Sequence, residues 1–86
     1  MLYGEWSLEE EKRVNYPEIE FCKDSTAVLY SQADTIYRFT FYTRNDSLYL
    51  VDINGKKYVN RIKKLTNKTI VFDGIADVDK EQTYKR

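Results

Sequence analysis

Eighty-six residues make one small domain, which buries only about 60% of the surface its unfolded chain exposes. Fourteen basic and fourteen acidic side chains cancel, so the chain lacks the net basic surface on which nucleic-acid affinity rests. With no histidine and a single cysteine, Cys22, it has no Ser–His–Asp triad, no Cys–His nucleophile pair and no internal disulfide, and a zinc site would need carboxylates alone.

No apolar run approaches the roughly 18 residues of a membrane-spanning helix. Met1, Leu2 and Tyr3 lead directly into Gly4, Glu5 and Trp6, without the basic segment and apolar core of a signal peptide. Eight Tyr, four Phe and one Trp supply large apolar area at low side-chain entropy cost and favour pleated sheet.

Short strand-like runs alternate with turn chemistry along the whole chain, the pattern of an all-β barrel or sandwich. The first strand is expected over Gly4–Arg13, with Trp6 and Leu8 on one side. Ser7 before Leu8, Glu9, Glu10 and Glu11 imitates a capped helix start, but no apolar stripe follows to continue a helix. Pro17 limits the chain there to a strand start or an edge. The second strand, Glu18–Cys22, turns Ile19 and Phe21 inward, and Lys23, Asp24 and Ser25 make a tight turn. A third strand, Thr26–Gln32, ends in a turn at Ala33 and Asp34.

The fourth strand, Thr35–Thr43, has the cleanest alternation, with Tyr37, Phe39 and Phe41 on one face and Arg38, Thr40 and Tyr42 on the other. Arg44, Asn45 and Asp46 lead into the fifth strand, Ser47–Ile53. Asn54-Gly55 then predicts a type I′ hairpin turn, with positive φ at both residues. The sixth, seventh and eighth strands are expected over Lys56–Leu65, Thr69–Asp73 and Asp79–Arg86, with a bend at Gly74. Such short connections cannot cross a sheet, so the eight strands pair sequentially and antiparallel, and closure into a barrel removes the two exposed edges. Phe21, Phe39, Phe41, Leu48, Leu50, Ile62 and Phe72 are the expected interior.

No residue constellation points to catalysis, and the chain reads as a non-enzyme needing no cofactor. The carboxylate pairs Glu9 with Glu11 and Asp77 with Asp79 sit at i, i+2 spacing in charged, turn-adjacent stretches and read as solvated. Lys56, Lys57, Arg61, Lys63, Lys64 and Lys68 read as a solvated face. Cys22 reads as a half-buried small hydrophobe.

Gly4-Glu5-Trp6 opening the first strand resembles the Gly-x-Trp motif of lipocalins. The segments Glu18–Asp24, Ile36–Arg38, Ile62–Thr66 and Thr83–Arg86 follow in an order similar to that of the small lipocalin-like domains of gut Bacteroidetes. The resemblance covers nearly the whole chain in short pieces, although lipocalins are about twice as long. It implies a calycin-type barrel; the resembled family is often exported to the periplasm or cell surface, while the sequence itself leaves the compartment open between cytoplasm and export. It also implies a structural staple in which Trp6 packs against a basic residue of the last strand, Arg86 or Lys85.

On this reading the chain is a non-enzymatic, lipocalin-like binding module that takes a small apolar ligand in the barrel mouth. Tyr37, Tyr49 and Tyr58 are the candidate ligand residues, each joining an apolar ring to a polar tip. The alternative is a protein-interaction domain (an inhibitor, immunity-type partner or accessory subunit) built on a filled barrel, with Tyr42 and Tyr49 as its patch. Strands of about seven residues tilted by about 40° make a barrel only some 17 Å tall, which favours a filled interior.

Overall fold

The computed structural model describes residues 2–9, 16–31 and 35–86. Eight antiparallel strands follow one another as a meander and close into a barrel, with β8 returning to β1. The strands are β1 (Gly4–Leu8), β2 (Glu18–Phe21), β3 (Thr26–Tyr30), β4 (Ile36–Arg44), β5 (Ser47–Val51), β6 (Lys57–Leu65), β7 (Thr69–Ile75) and β8 (Val78–Lys85). Among the described residues no helix is long and apolar enough to cross a membrane.

Register follows from the period-two alternation, because a slip of one residue would turn every apolar side chain to solvent. Phe41 faces Leu50 and Phe39 faces Ala27, so the inward rows of neighbouring strands lie side by side. Ile19, Leu29, Leu48, Leu50, Ile70 and Phe72 are wholly buried and fill the middle of the barrel. Phe21, Phe39 and Phe41 join this core, and Ile62 packs against it while half-buried. An eight-stranded barrel is only wide enough for side chains to meet across it, and here they do.

Three expectations change. β1 ends at Leu8; Glu9 bends away from the strand, while positions 10–13 lie outside the described residues, as do Gln32 and the expected turn at Ala33 and Asp34. At the β5–β6 hairpin only Gly55 takes positive φ, at 85°, so Asn54-Gly55 is not a type I′ turn. The cause is Asp52, whose Oδ1 accepts the backbone N–H groups of Asn54 and Lys56 while its carbonyl accepts that of Gly55. Those bonds set up a longer loop in which glycine alone enters the left-handed region. β7 also continues past Asp73 through a bulge at Gly74, where φ is 97° and an added Cβ would lie 3.0 Å from the Val78 carbonyl oxygen.

Two buried amides differ in their circumstances. Asn60 donates to the Leu48 carbonyl at 3.0 Å and accepts from the Ala76 N–H at 2.7 Å, tying β5 and β6 to the β7–β8 turn. Gln82 is 3% exposed, and neither its nitrogen nor its oxygen has a hydrogen-bond partner among the described residues.

Among the described residues the β1–β8 seam that closes the barrel is its narrowest junction: Ser7 with Lys85 and Leu8 with Tyr84 are the pairs in ladder register there, against five or six in the hairpins β4–β5, β5–β6 and β7–β8.

Candidate functional site: an aromatic cleft at one barrel mouth

The meander brings the β3–β4, β5–β6 and β7–β8 connections to the same end of the barrel, the end at which β1 finishes and β2 begins. There the filled core gives way to a cleft of about 550 Å³. Its walls hold four aromatic rings, Tyr16, Tyr37, Phe39 and Tyr58, with Ile36 and Ile53 completing the apolar surface. Arg38, Asp52, Asn54 and Asp77 supply polar groups around it.

Edge-to-face contacts hold the rings in place. Tyr16 meets Tyr37 at 6.1 Å between centroids with planes at 85°, and Phe39 meets Tyr58 at 6.1 Å and 83°. This is the arrangement the ring quadrupole favours. Lys56 Nζ lies 5.1 Å from the Tyr58 centroid, placing a cation beside the same cluster.

Tyr16 anchors the rim. Its hydroxyl donates to Asp77 Oδ1 at 2.6 Å, and its carbonyl accepts from the Tyr84 hydroxyl at 2.7 Å. Burial pushes the Tyr16 phenol above the ordinary range, and the hydrogen bond to Asp77 and that carboxylate's charge push it further. Burial does the same to Tyr84. Both values are raised by folding, so the stability these phenols contribute is complete below about pH 10, the unfolded value, and is lost as pH rises through the folded values. Denaturant unfolding across an alkaline series should therefore show stability falling from about pH 10 upward. Tyr84→Phe should flatten that fall and cost about 1 kcal/mol at neutral pH, the worth of its hydrogen bond.

The candidate residues part company. Tyr37 and Tyr58 both line the cleft. Tyr49 does not: it occupies an outward position of β5, paired with Tyr42 and Val59, and stacks on Tyr42 at 4.7 Å with the planes 3° apart. Its selection rested on residue type, whereas strand parity decides the side, and Leu48 and Leu50 hold the inward positions flanking it. Tyr16, Asp52 and Asp77 belong to the site but sit in connections, where no alternation marks a side chain as inward. The neighbouring Pro17 and the Gly55 turn were the available signals that strand ends converge there.

The opposite end is closed by a different group. Trp6 is 1% exposed and donates its Nε1–H to the Leu2 carbonyl at 2.8 Å. The Arg86 guanidinium carbon stands 4.2 Å from the Trp6 ring. That guanidinium also donates to the carbonyls of Tyr3 and Asn67, so one side chain touches the β1 entry, the β6–β7 turn and the indole. Lys85 instead lies beside Thr69 and Glu9.

Comparison with protein-family models, with curated proteins and with solved structures returned no match for this chain.

Proposed function

We propose that the chain is a non-enzymatic, lipocalin-like binding module that seats a small apolar ligand across the barrel mouth. The observation carrying this reading is the cleft itself, about 550 Å³ walled by Tyr16, Tyr37, Phe39 and Tyr58. That volume falls within the roughly 300–1,000 Å³ of small-molecule sites, and an apolar wall with a few polar groups is their usual composition. The filled core beneath limits the ligand to the mouth, so a flat, compact molecule suits it better than a long acyl chain. Rings fixed by edge-to-face contacts lose little entropy when a ligand settles against them.

A neutral naphthylamine dye that brightens on leaving water tests this. Saturable binding is expected, weakened tenfold or more in the Tyr37→Ala, Tyr58→Ala double variant, since each lost ring contact is worth about 1 kcal/mol or more. Tyr49→Ala, on the outer wall, should bind as the parent does. No saturable binding of the dye or of other flat apolar compounds, or equal binding by a folded double variant, would overturn the reading.

The protein-interaction reading has its own support in the stacked Tyr42–Tyr49 pair, which lies on the barrel's outer wall.

A further inference from the structure

Opposite walls of this barrel carry opposite charge. The outward positions of β4, β5 and β6 present Arg38, Arg44, Lys57 and Arg61 and no carboxylate up to the bulge that follows Ile62. Arg61 has Asp73 opposite it on β7, whereas Arg38, Arg44 and Lys57 make no ion pair among the described residues. Between these cations stand Tyr42 and Tyr49, stacked and with Lys57 Nζ 5.9 Å from both rings, and Val59, 60% exposed.

The outward positions of β1 and β2 present Glu5, Glu18 and Glu20 and no cation. Glu5 and Glu20 are directly opposite in register, a like-charge pairing that costs stability unless a cation comes near. In a closed ring of eight strands, β1–β2 and β5–β6 are four strands apart, on opposite sides. One copy moved sideways without rotation therefore brings its acidic wall onto the basic, aromatic wall of the next.

We propose that the chain associates with further copies of itself in this way, β4–β6 of one barrel against β1–β2 of its neighbour. The contact joins two different surfaces and leaves one of each free, so it propagates rather than closing into a dimer. Three further facts agree with a second copy as the occupant. Net charge is zero, so no overall repulsion holds copies apart. Closure gives every strand two neighbours in the sheet, so contact falls mainly to wall side chains. A face of a molecule measuring 31 × 30 × 23 Å is on the order of the ~800 Å² per partner of a standard interface. A nucleic-acid strand fits less well, because each tyrosine already spends one ring face on the other and the opposite wall repels a polyanion. The inference does not depend on the mouth binding a ligand.

Sedimentation velocity of the full chain over a concentration series is the test. At low salt (about 30 mM) the weight-average coefficient should climb with concentration, and the apparent dissociation constant should rise tenfold or more at about 500 mM salt, where the Debye length falls to a few ångströms. The Arg44→Glu, Lys57→Glu variant and the Glu18→Lys, Glu20→Lys variant, each folded by circular dichroism, should stay monomeric alone. An equimolar mixture of the two should associate again, because the introduced glutamates then face the introduced lysines while the unaltered basic wall faces the unaltered acidic one. A monomer under all conditions, a closed dimer indifferent to the reversals, or a mixture that stays monomeric would overturn the proposal. So would salt-sensitive binding of oligothymidylate to a chain that remains monomeric.

Discussion

Trp6→Ala should cost about 3–5 kcal/mol, the usual range for deleting a buried large aromatic. A chain of this length has only about 4–13 kcal/mol in all, so the variant should be close to unfolding. The cost has three parts: a ring that is 1% exposed leaves a void against the β2 core residues, the Leu2 carbonyl loses its donor, and the Arg86 guanidinium loses the face it rests on. Each kcal/mol should shift the melting temperature by about 4–8 °C, so a fall of about 12 °C or more is expected in a thermal melt. Arg86→Ala separates the contributions. Its cation–π contact is on the surface and should be worth about 1 kcal/mol. An unchanged melting temperature in Trp6→Ala would show that this end of the barrel is closed by something else.

The two buried amides should respond to substitution with opposite sign. Asn60→Ala strips the Ala76 N–H and the Leu48 carbonyl of their partners, and each orphaned group costs about 1–3 kcal/mol, so a loss of about 2–6 kcal/mol is expected. Gln82→Met removes a buried amide that has no partner among the described residues and keeps its length, and should be neutral or stabilising by about 1 kcal/mol. Urea unfolding of the two variants beside the parent decides the matter. If both prove equally costly, burial alone governs these positions and hydrogen-bond satisfaction does not.

The strands were legible wherever alternation was strict. β4 is the plainest case: Tyr37, Phe39 and Phe41 against Arg38, Thr40 and Tyr42 fix both the element and its facing. Closure followed from turn lengths, since eight strands with connections too short to cross a sheet have one tidy way to hide their edges. What sequence could not supply was the chemistry of the connections. Asp52 redirected the Asn54-Gly55 turn through its own carboxylate, a competition that a two-residue motif does not reveal. Half of the mouth, Tyr16, Asp52 and Asp77, comes from such segments, so the aromatic strand residues Tyr37 and Tyr58 were visible in advance and their companions were not. Tyr49 stands on the outer wall for a simpler reason: residue type does not carry strand parity, and parity decides the side of the sheet.

The narrowness of the β1–β8 seam has a consequence for the order in which the barrel assembles. Every other junction joins strands adjacent in the chain and can form as a hairpin over a short loop, in microseconds. The seam alone must bring together segments almost a whole chain apart, with two residue pairs in register among the described residues to reward the closure. It should therefore form last in folding, on a ribbon already paired from β2 to β8. In the native state it should also be the first junction to open, so the backbone amide of Glu9, which donates to the Thr83 carbonyl across the seam, should exchange with solvent before those of β4 and β5. Time-resolved hydrogen exchange would then show a barrel that unfastens along one line and unrolls, rather than one that loosens evenly.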